Sequence, residues 1–150
     1  MAERVVPWDT GYEWEPNDPE AILAVNDAGR AVLAVNAHDP DEDCVVFVWS
    51  HSRAAIMGSP NDEALFGHRL YSRGLADVMW AGKVEDSEWI MDLERRNRDH
   101  SQHNPARFAR LTHLILPLKE TTVEVIAEEV TVLRHPGPTA SAAAALLQQR

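Results

Sequence analysis

Short apolar, β-type runs punctuated by turn-forming residues recur along this chain, and a helical period is clear in one place. Ile22, Leu23 and Val25 run into Asn26, Asp27, Ala28 and Gly29, and Ala31, Val32, Leu33, Ala34 and Val35 follow. Two such runs around a turn-forming cluster predict a β-hairpin. His38, Asp39, Pro40, Asp41, Glu42 and Asp43 mark a polar loop. Residues 45–49 are apolar, β-branched or aromatic and predict a strand, which residues 54–57 either continue or pair back onto. Residues 78–84 predict another strand. Residues 111–118 predict a strand stopped near Pro117. Residues 121–133 alternate well, with Val123, Val125 and Ala127 on one face and Glu124 and Glu128 on the other. Only Lys119 and Glu120 separate these last two runs, so they are expected to pair.

The helical signals are fewer. Ser59 as N-cap, Pro60 as first helical residue and Asp62 three positions on predict a helix that must be short, because Gly67 follows closely. Residues 87–98 carry the best helical pattern. Asp86 or Ser87 can cap it, Trp89, Ile90 and Leu93 share a face, and Asp92–Arg96 and Glu94–Arg98 are favourable i,i+4 pairs. Residues 1–20 show neither period. Each of their aromatics, Trp8, Tyr12 and Trp14, buries about 150–250 Å² when packed, so this arm is expected to lie across the domain or against a partner. His135, Pro136, Gly137 and Pro138 break the pattern before an Ala-rich tail. At about 12 residues that tail is marginal as an isolated helix, so it is either docked or frayed.

These elements predict an α+β fold: a curved antiparallel sheet of about five or six strands packed against one main and one short helix. The organisation expected is an acidic aromatic arm at 1–20, a single α+β domain at 21–134, and a breaker with an Ala-rich tail at 135–150.

Composition narrows the function classes. The chain has 150 residues, 45% of them hydrophobic, and a net charge of −10, from 24 acids against 14 Lys and Arg. A nucleic acid or an anionic membrane would repel such a chain overall, so neither is expected as a partner. The single cysteine, Cys44, allows no internal disulfide, and beside Val45 and Val46 it reads as a small buried hydrophobe. No apolar run reaches about 18 residues and no signal pattern opens the chain, so a cytoplasmic location is expected.

Charge is segregated. Residues 1–43 hold eleven acids and two arginines, whereas residues 95–110 hold five arginines (Arg95, Arg96, Arg98, Arg107, Arg110) and one acid, Asp99. Guanidinium forks suit carboxylate and phosphate oxygens, and Arg107 and Arg110 are candidates to hold an anionic substrate group. Helix-end placement, or pairing with the acidic arm, would account for the same arginines without a ligand.

Histidines are the second signal. His100 and His103 leave the main helix, His113 follows on a strand, and His68 follows the short helix. His100, His103 and His113 could offer three imidazoles to a transition metal, although no Glu or Cys completes a known metal spacing. Acid/base chemistry without any cofactor needs only one titrating imidazole. His113 is the leading candidate because Leu111, His113 and Ile115 share one face, where it serves either as a pocket base or as a satisfied core histidine. Trp80 could line such a pocket. No phosphate-cradling glycine loop, nucleophile elbow or Cys-x-x-Cys is present.

One stretch carries a recognisable pattern: Pro60, Asn61, Asp62, Glu63; Gly67, His68, Leu70, Tyr71; Gly74, Leu75; Trp89, Ile90, Leu93, Glu94; then Asn97, His103, Phe108 and His113. It resembles a family of small bacterial proteins without an assigned activity, over less than half the chain. Arg69 stands where that pattern has a proline, and Asp99 and His100 replace a proline expected after Asn97. The resemblance implies that His68, Asn97, His103 and His113 form one spatial group.

The leading functional expectation is a small-molecule enzyme or ligand-binding protein with a histidine- and arginine-lined pocket. It would carry out isomerisation, cyclisation or hydrolysis of an anionic substrate. His113, His103 and His68 are the candidate catalytic residues, and Arg107, Arg110, Asn97 and Trp80 the candidate substrate contacts. The alternative is an interaction module of immunity or accessory type, acting through the acidic aromatic arm. A third reading is a homodimer in which the arm of one subunit meets the arginine patch of the other.

Overall fold

The computed structural model describes residues 2–37 and 43–149, so most of the polar loop expected at 38–43 lies outside it. Among the described residues nine strands occur: β1 (Arg4–Pro7), β2 (Ile22–Val25), β3 (Ala31–Asn36), β4 (Cys44–Ser50), β5 (Ala54–Gly58), β6 (Gly82–Glu85), β7 (Thr112–Pro117), β8 (Thr122–Ala127) and β9 (Glu129–His135). The helices are α1 (Glu88–Asn97), α2 (Pro105–Phe108) and α3 (Thr139–Gln148), with 3₁₀ turns at Asp62–Gly67, Tyr71–Arg73 and Leu75–Asp77. The fold is α+β and its sheets are antiparallel, as the patterning predicts. There are two sheets rather than one: a five-stranded sheet in the order β1-β6-β7-β8-β5 and a four-stranded sheet in the order β2-β3-β4-β9.

The sheets pack face to face. Leu33, Val35, Val45, Phe47 and Trp49 from one meet Leu114, Leu116, Val123, Val125 and Ala127 from the other. Each fully buried side chain of this size contributes about 1.5–3 kcal/mol. One strand pair passes from sheet to sheet: β5 pairs with β8, and their continuations β4 and β9 pair in the other sheet. The corner lies at His51, which has a left-handed φ of 53°, and at Glu128, whose N–H donates to the Ser50 carbonyl at 3.3 Å. The run expected as one strand over 121–133 is therefore two. Ala127 and Val130 both face the core though three residues apart, and that slip of phase turns the ribbon.

The arm joins this core. Its first residues form β1, paired with β6. Trp14 bridges to Ala37 of the next sheet and packs edge-on against Phe47 at 5.5 Å and Trp80 at 5.1 Å. Residues 1–20 are thus not wholly irregular. The tail is docked: Ala142, Ala143 and Leu146 of α3 cover Val32, Ala34, Cys44 and Val46 on the outer face of the four-stranded sheet. Arg30 donates to the Leu146 carbonyl at 2.8 Å and so occupies the C-terminal end of α3. Burial, with the Asp43 and Glu20 carboxylates, pushes the Cys44 thiol up, so it is a protonated core group.

The outer face of the five-stranded sheet is covered by α1, α2 and the 3₁₀ turns. The short helix expected from Ser59 is a 3₁₀ turn capped instead by Asn61, whose side-chain oxygen accepts from Ala64 N–H at 3.0 Å. Gly74 at φ 113° lies under the Val5 backbone, where a Cβ has no room. No helix among the described residues is long and apolar enough to cross a membrane.

Candidate functional site

A hairpin register sets the first part of the site. Pairing of Pro117 with Thr122 puts Ile115 opposite Glu124 and His113 opposite Ile126. His113 and Glu124 are therefore diagonal neighbours on the outer face, while Leu114, Leu116, Val123 and Val125 point inward.

His113 Nε2 lies 2.8 Å from Glu124 Oε1, and its Nδ1 lies 2.7 Å from Ser87 Oγ. Ser87 is also the N-cap of α1, accepting from Ile90 N–H at 3.1 Å. With the His113 Nε2–H donating to the carboxylate, Nδ1 accepts from the Ser87 hydroxyl. The other Glu124 oxygen, Oε2, meets His68 Nε2 at 3.3 Å. His68 Nδ1 accepts from Leu70 N–H at 3.0 Å, which places that ring's proton on Nε2, facing Glu124. A continuous chain results: Ser87, His113, Glu124, His68. Burial pushes the Glu124 carboxyl up, but hydrogen bonds and charge from His113 and His68 outweigh it and hold the group below the usual carboxylate range.

Exposure is graded along this chain. His113 is 0% exposed and Trp89 of α1 packs edge-on against it at 5.5 Å. The side chains of His68 and Glu124 keep 9% and 14% exposure. Beside them lies a second buried carboxylate, Glu3, which ion-pairs with Arg69 and accepts from Glu88 N–H, in the first turn of α1, at 2.9 Å.

The other predicted histidines belong elsewhere. His103 Nδ1 sits 2.9 Å from Asn97 Nδ2, and its Nε2 makes no hydrogen bond, lying 3.5 Å from Glu94 Oε1. The Arg98 hydrogen bond and charge, helped by His103, outweigh partial burial and hold the Glu94 carboxyl low. His100 Nδ1 accepts from Gln102 N–H at 2.9 Å. Among the described residues no group of three His, Cys, Asp or Glu could hold a metal ion, so the expected convergence of His100, His103 and His113 does not form. The four-residue group implied by the resemblance divides into two sets of contacts, His68 with His113 and Asn97 with His103.

Of the expected substrate contacts, Trp80 packs against the inter-sheet core with Trp14, away from the outer face that carries His113. Arg107 and Arg110 are exposed, and Arg110 lies 3.9 Å from Glu128. Of the arm's aromatics, Trp14 is buried in the inter-sheet core, and Trp8 and Tyr12 pack against it half-buried.

Sequence reasoning missed Glu124, Ser87, Glu3 and Arg69 as site residues. Glu124 was within reach, since the tight hairpin fixes its register beside His113. Glu3 and Arg69 come from distant elements and carry no local signal. No family model, curated protein or solved structure matches this chain.

Proposed function

We propose that the chain is a small-molecule enzyme performing cofactor-independent acid/base chemistry on an anionic substrate, with Glu124 and His68 as the reacting pair. The observation that carries this reading is a carboxylate with one imidazole on each oxygen, both rings fixed from behind by Ser87 and by Leu70 N–H. Glu124 is ionised and takes a substrate proton. His68 carries an Nε2 proton beside it, gives that proton to the neighbouring substrate atom and recovers the one taken up by Glu124, so the pair ends as it began. A base and an acid about one hydrogen bond apart suit a proton shift between neighbouring substrate atoms, as in isomerisation or cyclisation. His113 has no exposed surface and acts through Glu124 as a positioning residue. Arg69 follows His68 directly and keeps 48% of its side chain exposed, so its free N–H groups are available to an anionic substituent.

The test is to incubate the full chain with a mixture of small carboxylates and phosphate esters and follow each species by mass spectrometry. Wild type should convert at least one anion, and Glu124→Gln should slow that conversion by about 100-fold or more. No conversion by wild type, or equal rates in the variant, would refute the assignment.

A further inference from the structure

A groove of about 430 Å³ runs between α1 and α2, at the small end of ordinary ligand pockets. Its apolar surface comes from Ile90, Met91 and Phe108, and its cations are Arg95 and Arg98. We infer that this groove binds a small amphipathic carboxylate, with the chain on the apolar floor and the carboxylate on Arg95. The inference is independent of the acid/base reading.

Charge is the deciding observation. Outside the groove four arginines of this acidic chain are held by carboxylates, Arg4 by Glu85, Arg69 by Glu3, Arg96 by Asp92 and Arg134 by Asp43, while the exposed Arg107 does not line the groove. Within the groove Arg98 is taken by Glu94 at 2.9 Å. Arg95 is exposed and has no carboxylate partner among the described residues. One unpaired guanidinium beside an apolar floor matches one carboxylate at the end of an apolar chain. The floor is firm on one side and adaptable on the other. Phe108 is buried, with the Arg53 guanidinium 5.1 Å from its ring centre. Met91 is 49% exposed and can re-pack around a ligand. A chain with net charge −10 repels anions at long range, which favours a monoanion over a multiply charged ligand.

Decanoate is the probe, titrated into isotopically labelled full chain below its micelle concentration while the backbone amides of Met91 and Ala109 are followed by NMR. Saturable shifts at both amides are expected, with octanoate weaker by up to about fourfold for each methylene lost. Arg95→Gln, an exposed change, should weaken decanoate about tenfold and leave the remaining spectrum in place. The inference is overturned if decanoate leaves both amides unmoved, if it binds the variant as well as wild type, or if uncharged decanol binds as tightly.

Discussion

Ser87→Ala separates two roles that the structure gives to one hydroxyl. Ser87 Oγ caps α1 by accepting from Ile90 N–H, and it supports His113 by donating to Nδ1 at 2.7 Å. Losing the cap costs about 1 kcal/mol. Losing the donor leaves an imidazole nitrogen unpaired at a residue with no exposed surface, which costs about 1–3 kcal/mol. The expected total is about 3 kcal/mol, or roughly 6–12 °C in Tm for a domain of this size. Two comparisons isolate the terms. Asn104→Ala removes the exposed cap of α2, whose side chain accepts from Ala106 N–H, and should cost about 1 kcal/mol or less. Ser87→Gly should cost nearly as much as Ser87→Ala, because glycine is a tolerable cap but cannot donate to His113. Urea unfolding followed by circular dichroism gives each value, provided the slope m is unchanged. If both Ser87 variants fall within about 1 kcal/mol of wild type, His113 does not depend on that hydroxyl, and the chain of contacts ends at His113.

Acid should weaken the protein through Glu124. Its carboxyl is held below the ordinary range when folded, so its contribution is complete above the unfolded value of about 4.3 and is lost as pH falls through the lower folded value. Glu124→Gln should therefore flatten the decline in unfolding free energy below about pH 4, and identical acid limbs in the two proteins would disprove the linkage. Trp14→Ala should cost about 3–5 kcal/mol in urea unfolding, because the ring fills the core between the sheets. A near-neutral result would mean that the arm does not close that core.

The parts of the fold that were legible are those governed by local period. The hairpin around Asn26, the helix after Ser87 and the pairing of β7 with β8 all follow from spacing and turn chemistry. The division into two sheets did not, because a period of two says which face a residue takes and nothing about which sheet its strand joins. The slip between Ala127 and Val130 was the available clue. In the site, alternation placed His113 correctly on a face with Ile115. It gave no warning that α1 and the 3₁₀ turns would close over that face, which is why the strand histidine is buried and its neighbour Glu124 is the residue nearer to solvent.

The polar chain lies on this outer face rather than between the sheets for a physical reason. Inside the sandwich both walls are strands whose backbone groups are paired in ladders, so a buried carboxylate would find few donors there. The outer layer is different, because the first turn of a helix and short 3₁₀ segments leave N–H groups without intrahelical partners. Leu70 N–H serves His68, Glu88 N–H serves Glu3, and Ile90 N–H fixes the Ser87 oxygen that supports His113. A long, regular helix across residues 62–77 would bury its own donors and leave the imidazole and carboxylate groups unmatched. The broken 3₁₀ layer thus supplies the N–H that satisfies His68, while the N-cap of α1 supplies the hydroxyl that satisfies His113. Because each member satisfies the next, deleting one leaves its neighbour unpaired, and the energies of Ser87, His113, Glu124 and His68 should not add as independent contributions.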